Sequence, residues 1–148
     1  MYQNILVPTD GSEYAEAALD HAISLAQQFD STIHVLHVVD ERLTGLVTEY
    51  QDLGTEVQAE MEDDLEAMGR DATETAIGRA EEADVPAESH VVAGVPARAI
   101  VEFADDNDVD VVVMGTHGRS GFGRALLGSV TEKVVRSADV PVITVRGE

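Results

Sequence analysis

The chain of 148 residues has no cysteine, no tryptophan and a single lysine, Lys133. The missing cysteine excludes a disulfide framework and any thiolate metal site. Aromatics make up only 4% of residues, so the core must be built from Val, Ala, Leu and Ile. No apolar run approaches the roughly 20 residues that a membrane-spanning helix needs. No basic-then-apolar leader opens the chain, and strand-like residues begin at Ile5. The expectation is a soluble cytoplasmic protein, one domain over residues 1–148, with 44% apolar residues to fill its core.

Positive charge is the other shortage. Nine Lys and Arg face 29 Asp and Glu, a formal charge of −20. A broad basic face for nucleic acid is therefore excluded. The apolar periodicity described below excludes an acidic disordered chain. An acidic, solvated surface of the halophilic kind remains, since the Debye length falls to about 3 Å at 1 M salt and screens self-repulsion. The charge is uneven. Residues 1–114 hold four basic and 26 acidic side chains, whereas residues 115–148 hold five basic and three acidic. An anionic ligand is expected at the second segment.

That segment carries the organising pattern. Val109 to Val113 reads as a strand buried on both faces. Gly115, Gly118, Gly121, Gly123 and Gly128 follow without strand or helix periodicity. Ser129-Val-Thr-Glu132 then reads as a capping box with Ser129 at the N-cap. Strand, glycine-rich loop and helix start together suit phosphate, because glycine lets the backbone approach and the first helical amides point outward unpaired. A P-loop is rejected: Gly123-Arg-Ala-Leu-Leu-Gly128-Ser129 has no lysine before its serine. A dinucleotide fingerprint is rejected too, because Gly121-Phe-Gly123-Arg-Ala-Leu126 ends in leucine. The frame that fits is G-x2-G-x9-G-S, from Gly115, Gly118, Gly128 and Ser129.

The rest of the chain alternates. Tyr2 to Pro8 reads as a strand, followed by turn chemistry at Thr9-Asp10-Gly11-Ser12. Ser12 is a candidate N-cap for a helix to about Phe29, with Ala15, Ala18, Leu19, Ala22, Ile23 and Ala26 on its apolar side. Thr32 to Val39 is a strand in which His34 and His37 face opposite sides, which argues against a shared metal. Asp40 to Gly54 reads as a loop. A long helix follows from the capping box Thr55-Glu-Val-Gln58 to about Ala83, with Val57, Met61, Leu65, Met68, Ala72, Ala76 and Ala80 toward the core. Glu88 to Val92 is a strand, and Pro96 opens a helix with Ala99, Ile100 and Phe103 on its apolar side. That helix ends at Asp105-Asp106-Asn107-Asp108, read as a solvated turn. A last helix spans about Val130 to Ser137 and a last strand Pro141 to Val145. Such alternation argues for an α/β parallel sheet covered on both faces, with its ligand where strand order reverses.

Ile5-Leu-Val-Pro-Thr-Asp10, His37-Val-Val-Asp40, Gly94-Val-Pro96, Met114-Gly-Thr-His-Gly-Arg119, Gly128-Ser-Val130 and Pro141-Val-Ile-Thr-Val145 together resemble the universal stress protein family, in its ATP-binding branch. The resemblance implies a Rossmann-like, adenine nucleotide alpha hydrolase-like three-layer sandwich with a five-stranded parallel sheet in the order 3-2-1-4-5. It implies that Pro8, Thr9 and Asp10 flank adenine and ribose and that Val38 offers backbone groups to the adenine edge. Met114 and Gly115 would line the ribose side, with Thr116 and His117 next in the site. Gly118, Arg119 and Ser120 would wrap the phosphates, held at the helix start by Gly128, Ser129 and Val130. Asp10 could carry a divalent ion, magnesium or manganese, through ATP, or cap the turn it sits in.

The function expected is a nucleotide-dependent regulatory module of the stress response, acting on a protein partner. The alternatives are a slow ATPase or phosphotransfer enzyme, and a dimeric module that binds no nucleotide. No dedicated base, lysine clamp or paired metal carboxylates are visible, and His117 alone does not make a catalytic site. In the 3-2-1-4-5 order the last strand, Val140-Pro-Val-Ile-Thr-Val145, is an uncharged edge, and a homodimer paired through it is expected.

Overall fold

The computed structural model describes residues 2–42, 55–117 and 127–147. Five strands alternate with four described helices: β1 (Asn4–Pro8), α1 (Glu13–Phe29), β2 (Thr32–Asp40), α2 (Thr55–Glu82), β3 (Ala87–Gly94), α3 (Pro96–Asp106), β4 (Val111–Gly115), α4 (Ser129–Ser137) and β5 (Val142–Val145). The strands form one sheet in the order β3-β2-β1-β4-β5, every neighbouring pair parallel. This is the expected three-layer architecture.

Strand parity explains the two cores. Ile5, Val7, Ile33, Val35, Val111 and Val113 project to one face, against the alanine-rich side of α1 and Ala76 and Ala80 of α2. Leu6, Leu36, Val112 and Met114 project to the other, against Ala97, Ile100 and Ala104 of α3 and Val134 of α4. Both faces are covered, so the central strands are apolar throughout instead of alternating. Small alanines let α1 lie close to the sheet. Among the described residues no helix is long and apolar enough to cross a membrane.

Several boundaries differ from expectation. β1 starts at Asn4, not Tyr2, because Tyr2 has φ 57° and the ladder opens at Asn4 opposite Thr32. Glu41 and Arg42, expected in a loop, already have helical backbone. On α2 the buried stripe is Gly69, Thr73, Ala76 and Ala80, whereas Met68, expected in the core, is 46% exposed. Met68 lies one position off that stripe and borders the cleft between α1 and α2. Gly69 is what lets α2 approach β2, since a Cβ there would overlap the His37 ring.

The helix ends share an unforeseen feature. Asp30, Asp84 and Asp108 stand just beyond α1, α2 and α3 with φ of 53°, 58° and 52°. After each, the next amide bonds a carbonyl five residues back: Ser31 to Ala26, Val85 to Ala80 and Val109 to Ala104, at 3.1, 2.9 and 3.3 Å. These are Schellman closures with aspartate where glycine is usual.

Candidate functional site

The site is built at the carboxyl ends of β1 and β4. These strands are adjacent, with Ile5 opposite Val111 and Leu6 opposite Val112, while β2 departs to one side and β5 to the other. Strand order reverses here, which opens a crevice beyond the strand ends. Pro8, Thr9 and Asp10 leave β1 on one side of it. Met114, Gly115, Thr116 and His117 leave β4 on the other.

The β1 exit is tightly fixed. The Thr9 amide donates to Leu36 O at 2.8 Å, and His37 Nδ1 lies 2.9 Å from Thr9 O. Asp10 Oδ1 accepts from the Ser12 amide at 2.9 Å, so Asp10 caps its own turn as one of its two expected roles. Gly11 takes φ 79°, a conformation that favours glycine. Ser12 is the N-cap of α1, accepting from Ala15 N at 3.3 Å as its sequence position suggested.

On the β4 side a neck closes the glycine loop. The Thr116 amide donates to Val145 O at 3.0 Å, and the Gly128 amide donates to Thr116 O at 2.7 Å. Thr131 Oγ1, buried, donates to Gly115 O at 2.8 Å. Thr131 was not anticipated, although it sits inside the Ser129–Glu132 box. The N-cap of α4 is Gly128, not Ser129, and it has no side chain to cap with. Ser129 is thus the first helical residue. The first backbone bond of the helix runs from Glu132 N to Gly128 O at 2.9 Å. The amides of Val130 and Thr131 therefore have no acceptor among the described residues. They present the partial positive charge that attracts anions.

Apolar contacts line the same side of the sheet. Val38 and Val130 both pack on the core cluster that contains Met114. Of the expected residues, Pro8 to Asp10 and Met114 to His117 thus lie at the carboxyl ends of the adjacent strands β1 and β4, Gly128 is tied to Thr116, and Val38 and Val130 share a core cluster with Met114. Gly118, Arg119 and Ser120 lie outside the described residues. Tyr14 of α1 was missed by the sequence reading. A Cβ on Gly115 would come within 2.8 Å of Tyr14 O and Cβ, and one on Gly147 within 2.9 Å of Tyr14 Cδ1. The Tyr14 and His117 rings stand 5.3 Å apart. His117 Nδ1 lies 3.0 Å from Thr116 Oγ1, while its Nε2 is buried with no hydrogen-bond partner among the described residues.

Beyond Val38, the Arg42 guanidinium chelates Asp40, with Nη2 at 2.7 Å from Oδ2. Hydrogen bonding from Arg42 holds the Asp40 carboxyl below the usual carboxylate range despite partial burial, and the guanidinium is held charged in turn. One of the acids at this rim is therefore neutralised locally.

A doubly wound parallel sheet, helices on both faces and a loop-lined crevice at the switch point define a Rossmann-like α/β protein. The model of the universal stress protein family matches residues 1–146, and the chain belongs to that family. It is 38% identical over 147 residues to universal stress protein MJ0531 of Methanocaldococcus jannaschii, covering 99% of this chain and 83% of the relative. The solved structure of MJ0577 superposes with a TM-score of 0.85 at 34% identity, covering 100% of this chain and 98% of that one. A universal stress protein in complex with cAMP matches at TM-score 0.74 and 26% identity, covering 99% of both chains. One from Archaeoglobus fulgidus in complex with dAMP matches at 0.68 and 26%, covering 97% of both.

Proposed function

We propose that this chain is an ATP-binding regulatory module of the stress response, holding the nucleotide in the crevice between the ends of β1 and β4. The observation that carries this reading is the neck. Gly128 N bonded to Thr116 O ties the start of α4, whose Val130 and Thr131 amides have no acceptor among the described residues, to the end of β4. These amides suit an anionic group, and the apolar residues Val38, Met114 and Val130, which share one core cluster, suit a base. The relatives holding cAMP and dAMP support adenine as that base.

In this reading Pro8, Thr9, Asp10 and Val38 contact adenine and ribose, Met114 to His117 border the ribose, and the 118–120 and 128–130 segments hold the phosphates. Magnesium or manganese would enter with the nucleotide, its charge set against the phosphates. Occupancy is the signal passed to a protein partner, in the cytoplasm, from a homodimer joined through β5. Mass spectrometry of nucleotide released from the purified protein, with calorimetry using ATP, ADP and cAMP in high salt, tests the reading. Tight ATP binding is expected. A folded protein that binds no adenine nucleotide overturns it.

A further inference from the structure

At the opposite ends of the strands a second cluster lies on the α3 face of the sheet. His34 of β2 pairs in register with Glu88 of β3, and His90 follows two residues later on the same side. His34 Nδ1 lies 3.2 Å from His90 Nε2 and 3.4 Å from Glu88 Oε2, and His90 Nε2 lies 4.0 Å from Glu88 Oε2. We propose that His34, Glu88 and His90 form a binding site for a divalent transition ion of the zinc class, clipping edge strand β3 to β2.

The distances suit such an ion. With bonds of about 2.0–2.1 Å, tetrahedral zinc holds two ligand atoms about 3.3 Å apart. Two of the three separations already match. The third closes by a swing of Glu88, whose side chain is 64% exposed and free to move. The same exposure gives the ion its entry path. Three protein ligands leave a fourth position for water. Two imidazoles and one carboxylate favour zinc, cobalt, nickel or copper over magnesium and calcium, which prefer oxygen.

The ring nitrogens are set for the task. Asn4 Nδ2 donates to Asp108 O at 3.3 Å, so Oδ1 is the atom that faces His34 Nε2 at 3.1 Å. An amide oxygen only accepts, so His34 Nε2 carries the proton and Nδ1 keeps its lone pair toward His90 and Glu88. Metal-binding histidines are oriented by this kind of outer hydrogen bond. Phe103 of α3 backs both rings, its centroid 4.7 Å from His90 and 6.2 Å from His34.

The test uses the whole chain in molar KCl with excess magnesium, which occupies the acidic surface. Zinc and cobalt(II) are titrated by calorimetry and by visible absorption of the cobalt ion, and histidine nitrogen resonances are followed by NMR. One equivalent of either ion is expected, with shifts at His34 Nδ1 and His90 Nε2. His90→Ala should lower the affinity at least hundredfold and Glu88→Gln at least tenfold, with unchanged circular dichroism. Asn4→Ala should cost about 10–100-fold through loss of orientation. His21→Ala, on exposed α1, should change nothing. A wild type that binds no zinc beyond magnesium-competed sites overturns the proposal, and so does undiminished binding in both His90→Ala and Glu88→Gln.

Discussion

The Gly128 amide and the Thr116 carbonyl, twelve positions apart in the chain, meet at 2.7 Å and close the glycine loop at its base. The bond fixes the start of α4 against the end of β4. Thr131 reinforces the closure by its buried bond to Gly115 O. Thr131→Val keeps the shape and removes the donor. We expect a stability loss of about 1–3 kcal/mol, since Gly115 O loses a buried partner. ATP affinity should fall with it. Urea melts and calorimetry measure the two, and a variant as stable as wild type would show that the neck does not depend on this bond.

Nucleotide binding is expected to fail in Gly118→Val, where a side chain replaces the space the backbone needs. Ser129→Ala should weaken it by about 1 kcal/mol if the hydroxyl bonds phosphate. With no side-chain cap required of Ser129, its hydroxyl is not committed to capping. Phosphate release with magnesium or manganese should stay well below about 1 per second, an ordinary enzyme rate. Faster turnover that disappears in Gly118→Val would move the protein into the enzyme class.

Two glycines of α2 should respond oppositely to alanine. Among the described residues nothing lies within 4 Å of a Cβ built on Gly78, so Gly78→Ala should stabilise by about 0.5–1 kcal/mol through helix propensity. Gly69→Ala drives a methyl into the His37 ring, and should destabilise by about 1–3 kcal/mol. Because His37 also contacts Thr9 O, ATP affinity should fall in the second variant only. Equal effects in thermal melts would contradict the packing described.

Salt should stabilise the chain. The charge of −20 repels itself and any polyanionic ligand, and added KCl screens both. Melting temperature and ATP affinity should rise together from low salt. The aspartates at the helix ends sharpen this test, because an acid at a helix C-terminus opposes the dipole and pays the left-handed penalty. Asp84→Gly should raise the melting temperature most at low salt, with the gain shrinking as KCl increases. A salt-independent gain would assign the effect to backbone conformation alone.

The proposed pairing of two copies through β5 can be probed without damaging the core. Val112 N donates to Pro141 O and Thr116 N to Val145 O, so odd-numbered residues of β5 turn their backbone groups to β4. Val142 and Thr144 turn theirs outward. Ile143 and Val145 pack on the core, which makes them poor sites for charge substitution. Thr144→Pro removes an outward donor at an edge position that tolerates proline. Light scattering in high salt should show a dimer for the wild type and a folded monomer for the variant. A wild-type monomer at micromolar concentration would refute pairing through β5.

Much of this was legible because local and global signals agree. The apolar runs at Ile5–Val7 and Val111–Val113 mark strands buried on both sides, and Ser12 marks the start of α1 by a bond it does make. Proline at 96 marks α3. What was illegible depends on register or on neighbours. Met68 and Gly69 differ by one position on a helix whose periodicity two glycines blur, and only the His37 ring decides which faces inward. Ser129 and Gly128 compete for one N-cap, and Gly128 takes it, accepting from Glu132 N while its own amide donates to Thr116 O. His34 and His90 are 56 residues apart, and their meeting rests on the opposition of Leu36 and His90 in the β2–β3 ladder. No spacing rule contains that.

The packing of Tyr14 has an optical consequence. Without tryptophan, the ultraviolet emission of this chain belongs to its three tyrosines. Tyr2 sits edge-on to Phe29, far along the strands from the crevice, with ring centroids 5.3 Å apart. Tyr14 instead touches the exits of two strands, at Gly115 and Gly147, and faces the imidazole at the neck. Its fluorescence is a built-in lamp beside His117, to be read over the emission of Tyr2 and Tyr50.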